Sequence, residues 1–341
     1  MKHIFSAAFC AVLASHVPML LAQAHVPPSA ATTWKLATGY RVESFHTQNI
    51  MQFSRDVEQA TAGKLLIQVH PNNTLAKLGD ISQAVQQGKA EAGETIMTSM
   101  VKEIPIAGAD SIPFVVGSYM DARRLWVLQR PVIEKHFSER GIKLLYAVPW
   151  PPQGLHSTKP IRSVADFKGT QMRTYNSTTQ RIAELLGARP VDVPMVDVGK
   201  ALSEGRMDNM ITSALTGVEN KVWGAIKYYY EINAWFPKNV VFVNSKAFDS
   251  LKPEARSMVL KAAAEAETRG WAASQALASS ATEELRANGV KIERIPPDLS
   301  QDIKRMGERF SREWVQSVGN EANAIFLPYY FPLELNAKNL K

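Results

Sequence analysis

Residues 169–213 decide how this chain is read: Gly169-Thr-Gln-Met-Arg173-Thr-Tyr175-Asn-Ser177, a helical run from Thr178 to Leu186, Gly187, and later Ala201-Leu-Ser-Glu-Gly205-Arg-Met-Asp-Asn-Met-Ile-Thr212-Ser213. Residues 171–175 suit a short buried strand. Ser177 is placed to cap the next helix, since its hydroxyl can accept from a free first-turn N–H, and Gly187 is placed to end it in the left-handed conformation. Arg173 then falls near the carboxyl end of its strand, where open α/β sheets place their ligands. A guanidinium there can hold a carboxylate through two parallel, charge-assisted hydrogen bonds. An arginine on a strand more often serves the surface or an ion pair, so its surroundings decide its role.

Working outward, the same alternation recurs. Trp34 to Thr38 reads as a first strand, His46 to Ala62 as a helix, Lys64 to Val69 as an alternating strand, and Leu78 to Gln87 as a short helix stopped by Gly88. Strands alternating with helices at this pitch argue for an α/β protein. Ala84-Val85-x-x-Gly88-x-x-Glu91-x-x-x-Thr95 echoes Ala201-Leu202-x-x-Gly205-x-x-Asp208-x-x-x-Thr212 in spacing. Each half thus offers helix, glycine, strand and small polar residues, and two facing halves would line a cleft with Glu94 and Thr95 against Thr212 and Ser213. Tyr146 to His156, rich in proline and aromatics, suits a crossover between domains. Val240 to Val243, after the Pro237-Lys-Asn239 turn, is a second crossing, and the helical tract from Pro253 to about Asn288 is long enough to bridge both domains. The expected organisation is 25–150 with 237–270 as one domain and 151–236 with 271–341 as the other. The aromatic tail, Phe326 to Leu333, is expected to pack on the surface.

Met1-Lys2-His3, an apolar run to Leu21 and Ala22-Gln23-Ala24 together form a cleavable export signal, with cleavage expected after Ala24 and a periplasmic destination. Cys10, the one cysteine, lies inside that signal behind the bulky Phe9, so neither lipidation nor a thiol in the mature chain is expected. With 45% hydrophobic and 21% charged residues the composition is globular, and the net charge of +7 comes from scattered lysines and arginines rather than runs, which speaks against nucleic acid. There is no G-x-S-x-G or H-E-x-x-H, and His25, His46, His70, His136 and His156 lack ligand spacing. No enzyme activity, cofactor or metal is expected; an exported hydrolase, or a sensing module for the same ligand, is the alternative.

Six short motifs, in order along nearly the whole mature chain, give the sequence its resemblance: Thr61-x-Gly63-Lys-Leu-x-Ile67, Ala84-Val85-x-x-Gly88, Ile112-Pro113-Phe114, Phe167-Lys168-Gly169-x-x-x-Arg173, Leu186-Gly187-Ala188-x-Pro190 and Ala201-Leu202-x-x-Gly205-x-x-Asp208. The chain resembles the extracytoplasmic solute receptors of tripartite ATP-independent periplasmic (TRAP) transporters, of the dicarboxylate-receptor type. The resemblance implies a two-domain clamshell, a mixed sheet in each domain with a long bridging helix, that closes on a small organic acid and delivers it to a membrane permease; a monomer is expected. It places the carboxylate-binding arginine at Arg173 and further cleft residues at Met195 and Thr212. His156 stands where sialic-acid receptors of the family carry another arginine, which points to a smaller ligand. Trp150, Tyr175, Trp235 and Phe236 are candidates for an apolar end of the pocket, each against a core role that aromatics fill readily; Asn239 joins the ligand-binding set. An aromatic or branched-chain hydroxy or keto acid is the favoured ligand class.

Overall fold

The computed structural model describes Met1 and residues 31–331; the remainder of the expected signal sequence, and the Pro332-Leu333 end of the aromatic tail, lie outside the described residues. In chain order, β1 (Thr32–Thr38), α1 (Phe45–Ala60), β2 (Leu65–His70), α2 (Ile81–Gln86), β3 (Ala92–Ile96), α3 (Tyr119–Ser138) and β4 (Ile142–Pro149) come first. Next follow β5 (Gln153–Ser157), β6 (Gln171–Thr174), α4 (Ser177–Leu185), β7 (Arg189–Asp192), α5 (Val198–Ser203), β8 (Asn209–Ser213), α6 (Ala214–Glu219) and β9 (Tyr228–Tyr230). The chain ends with β10 (Lys238–Asn244), α7 (Ser245–Asp249), α8 (Pro253–Ala287), β11 (Lys291–Glu293), α9 (Pro297–Val318) and α10 (Glu321–Tyr330).

Two mixed sheets result, one per lobe. The first runs β2-β1-β3-β10-β4, with β10 antiparallel to both neighbours; the second runs β11-β9-β5-β8-β6-β7, with β5 antiparallel to β8 and β9. Every residue of β3 and β8 is buried, as expected of central strands covered on both faces.

The internal echo is a shared device. Gly88 and Gly205 both take positive φ, +68° and +66°. Lys89 N–H returns to the Ala84 carbonyl and Gly88 N–H to Val85, and Arg206 and Gly205 repeat the pair onto Ala201 and Leu202, so both helices close in the same left-handed cap. The acids that follow are structural: Glu91 accepts from the Lys35 N–H at 2.7 Å and Asp208 from the Gln171 N–H at 2.8 Å, each satisfying the neighbouring strand's backbone. One expectation shifts by a residue. Asn176, not Ser177, caps α4: its side chain accepts from Thr179 N–H at 2.9 Å while the Thr179 hydroxyl takes the Asn176 N–H at 3.3 Å.

The lobes are joined where β4 passes into β5 and β9 into β10. The two crossing segments hydrogen-bond to each other, Trp150 N–H to Pro237 at 2.8 Å, Gln153 N–H to Trp235 at 3.0 Å and Ala234 N–H to Gln153 at 2.8 Å. Helix α8 is the third link. It packs on α1 and β4 early and on α6 and β11 late, and Gly270 lets it approach β4 so closely that a Cβ there would overlap Val148. The C-terminal helices differ from the expected assignment of 271–341 to the second domain. Helix α10 packs on α3 of the first lobe, Tyr329 lying under Arg124 and donating to the Val115 carbonyl, so much of the tail is helix with one buried face. Helix α9 touches both lobes, through Arg181–Glu313 on one side and Gly307 against Phe114 on the other.

Candidate functional site

A cavity of about 710 Å³ opens between the lobes. The carboxyl ends of β1 and β3 border it from the first lobe, and the ends of β6, β7 and β8 with the amino end of β5 border it from the second. Strand β6 sets Arg173 between Val191 of β7 and Met210 of β8. The side chain is only 4% exposed. Its Nε donates to the Val193 carbonyl at 2.9 Å, and its guanidinium lies 4.7 Å from the Tyr175 ring centre. Burial pulls its pKa down to about 10, with Tyr175, Tyr40 and Asp192 opposing, so it stays a cation at neutral pH. Among the described residues no carboxylate is hydrogen-bonded to it; Asp192 acts only through space. Among the described residues neither terminal nitrogen has a hydrogen-bond partner, and two such nitrogens have the geometry to take a bidentate anion.

Opposite stands an aromatic wall of Tyr40 and Trp150, ring centres 5.3 Å apart. Trp150, Tyr175, Met195 and Thr212 line the cavity with Arg173. Tyr40, Ser99, Gln153, Thr216 and Pro237 also line it and were missed in the sequence. The strand-end rule applied to β1 would have found Tyr40.

The other candidates do not reach the cavity. Glu94 and Asn239 are buried behind the wall, where Asn239 Oδ1 accepts from Trp150 Nε1 at 2.9 Å and its Nδ2 donates to Glu94 at 2.9 Å. The Thr95 hydroxyl is bonded to the Leu78 carbonyl and Ser99, and Ser213 caps α6 by accepting from Thr216 N–H. Trp235 and Phe236 are core: Trp235 lies among Leu155, Leu299 and Met306, and Phe236 packs edge-on to Tyr119.

His156 is the clearest correction. Because β5 runs antiparallel to β8, Gly154 opposes Thr212 at the cleft and His156 opposes Met210, two residues deeper. Its Nε2 lies 3.2 Å from the Ser213 carbonyl, its ring packs on Tyr229, and its Cε1 fills the space a Cβ on Gly217 would need. Burial, aided by the Arg173 charge, pushes its pKa down to about 3. It is a neutral imidazole donating to a carbonyl. Ligand affinity is therefore expected to be flat across the histidine range, roughly pH 6–8. Fold stability behaves differently: the folded-state pKa is depressed, so the contribution is intact above the unfolded value and is lost as pH falls from about 6.5 towards the folded value. Titrations at several pH values, with His156→Gln as comparison, check this; a histidine-range inflection in affinity that disappears in His156→Gln would restore a ligand role.

Comparison with known proteins fits this geometry. Residues 38–317 match the model for bacterial extracellular solute-binding protein, family 7. The fold superposes on a Bordetella pertussis extracytoplasmic solute receptor that binds pyroglutamic acid, with 37% identity over 88% of this chain and 100% of that one and a TM-score of 0.86. A marine-metagenome TRAP solute-binding protein specific for pyroglutamate is 35% identical over 88% of this chain and 99% of its own, with a TM-score of 0.85. The 2,3-diketo-L-gulonate-binding periplasmic protein of Escherichia coli K12 is 24% identical over 254 residues, 70% of this chain and 74% of that one.

Proposed function

We infer, because the chain belongs to the bacterial extracellular solute-binding proteins of family 7, that it is a periplasmic TRAP receptor that captures a small carboxylic acid and hands it to a membrane permease. The observation that carries this reading is Arg173: a buried guanidinium whose outer nitrogens, among the described residues, bond to no partner and to no carboxylate. A buried cation without a partner is costly, and a site that retains one is built for an anion that arrives later. Desolvation inside the closed cleft strengthens the pairing.

The remaining walls narrow the ligand. Tyr40, Trp150, Tyr175, Met195 and Pro237 offer apolar surface, while Gln153, Thr212 and Thr216 offer a few polar contacts, a division usual in small-molecule sites. Besides Arg173 the charged residues of the lining are Asp80, Asp192, Asp197 and Lys77, and this excess of acids over the one further cation disfavours a second negative charge. A compact monocarboxylate fits best. Receptors 35–37% identical bind pyroglutamate, so pyroglutamate or a similarly small ring acid is proposed ahead of the aromatic or branched-chain hydroxy and keto acids favoured by sequence. Neither His46 nor His156 lines the cavity, which supports a receptor over a hydrolase. The protein is proposed to act as an exported monomer after removal of residues 1–24.

Native mass spectrometry of the protein as purified, followed by titration calorimetry with L-pyroglutamate, tests the reading. A bound or titrating small monocarboxylate is expected. Failure of every small monocarboxylate in a panel to bind the folded protein would overturn it.

A further inference from the structure

Three buried side chains lie behind the cleft, and their bonds converge on its aromatic wall. Asn239 Oδ1 accepts from Trp150 Nε1 at 2.9 Å and from the Tyr40 hydroxyl at 3.3 Å. Its Nδ2 donates to Glu94 Oε1 at 2.9 Å. Glu94 accepts in addition from the Thr38 hydroxyl at 2.6 Å and faces His46 Nδ1 at 3.3 Å. The three are each 1% exposed, and the His46 ring lies tilted against Trp150 with ring centres 4.4 Å apart.

The direction of donation is what matters. Both polar hydrogens of the wall point back into the protein, so Tyr40 and Trp150 meet the cleft with ring carbon. An amide suits this junction: its oxygen takes two donors while its nitrogen satisfies the carboxylate behind it. An aliphatic residue at 239 would orphan the indole N–H and the phenol, and the nearest place to find an acceptor would be the cleft.

We infer that Asn239 and Glu94 are positioning residues that set the selectivity of the cleft, by holding Trp150 and Tyr40 as an apolar wall that favours a compact acid with an apolar face and turns away polyhydroxy acids. Hydroxyl groups laid against that wall would lose water and gain no partner, a penalty that discriminates strongly between ligands of equal charge. This assignment rests on the cleft being a carboxylate site.

Titration calorimetry with L-pyroglutamate and with D-gluconate, two monocarboxylates that differ in hydroxylation, tests it on the full-length mature protein, its Asn239→Leu and its Asn239→Asp variants. The wild type is expected to prefer pyroglutamate. Asn239→Leu should shift the ratio of the two affinities by tenfold or more towards gluconate. Asn239→Asp keeps the acceptor oxygen that receives both donors but sets a carboxylate against Glu94; protonated, the new group can donate as the amide did. The titratable groups facing position 239 are Glu94, Tyr40 and, through Glu94, His46. Wild-type selectivity in Asn239→Asp should therefore return on going from about pH 8 to about pH 5, as a carboxyl pair sharing one proton requires, while the wild-type ratio stays flat. Thermal melting reports folding, and Asn239→Asp decides the matter if Asn239→Leu does not fold. Equal loss for both acids, with no pH-dependent recovery, would show that the network only supports the fold. Wild-type protein that binds neither these two acids nor any other monocarboxylate of the panel would instead overturn the carboxylate reading, and this one with it.

Discussion

Replacing Arg173 with alanine is expected to abolish capture of the acid while leaving the folded protein at least as stable in the absence of ligand. The first half follows from the loss of a bidentate, desolvated charge pair. Removing one partner of such a pair costs roughly 2–5 kcal/mol, about 30- to 5,000-fold in affinity. The second half follows from the environment of the cation without ligand. It is 4% exposed, is bonded through Nε to Val193, and has no bonded carboxylate among the described residues, so burial opposes its charge. Deleting it removes that penalty. Arg173→Lys should recover little, because an ammonium is a point charge that lacks the planar fork. Calorimetry measures the affinity and thermal melting the stability. The pattern that identifies a ligand clamp is a wild-type melting point that rises with acid and an Arg173→Ala melting point that does not move. Unchanged affinity in the variant would remove Arg173 from the site.

The parts of the molecule that could be read from the chain are those fixed locally. The α/β alternation, the glycine caps at Gly88, Gly187 and Gly205, and the strand-end position of Arg173 depend on a few consecutive residues, and the structure places them as the pattern requires. What was not legible depends on which strands lie side by side. Insertion of β10 between β3 and β4 brings Asn239 against Glu94 across 145 residues of sequence, and no spacing rule announces it. His156 was misplaced because the sequence does not state that β5 runs antiparallel to β8, and reversing a strand moves a residue from the rim to the interior. Trp235 and Phe236 sit at a crossing, as expected, but their side chains turn to the core. Tyr40 was within reach of the strand-end rule, but its pairing with Trp150 and Asn239 was not.

Ligand binding is expected to close the two lobes, and Arg41 is expected to hold them closed. Arg41 follows β1 in the first lobe, yet its guanidinium donates to second-lobe acceptors: the Val196 carbonyl, the Glu219 carbonyl at 3.4 Å and Asn220 Oδ1 at 3.4 Å. Glu219 and Asn220 end α6, where exposed carbonyls attract a cation. Val196 lies in the 3-10 turn Met195–Asp197, all three residues of which line the cavity, so the same contacts fix part of the binding surface. A second bond closes the far seam, Asn176 Nδ2 to Thr98 Oγ1 at 2.6 Å. All of these must break for the lobes to part, and paired crossing segments with a bridging helix permit a hinge motion of the kind such receptors use. A charge-assisted hydrogen bond contributes about 1.5–3 kcal/mol, so Arg41→Ala should speed ligand dissociation roughly 10- to 150-fold. Association should change little, because the open form lacks the contact. Stopped-flow kinetics on both proteins separate the two rates. Solution scattering should show a smaller radius of gyration with ligand than without, and a hundredfold excess over the dissociation constant should add about 2.7 kcal/mol to stability. Superimposable scattering profiles at confirmed saturation, together with an unaltered dissociation rate in Arg41→Ala, would mean that the cleft is rigid and that the acid enters and leaves without any movement of the lobes.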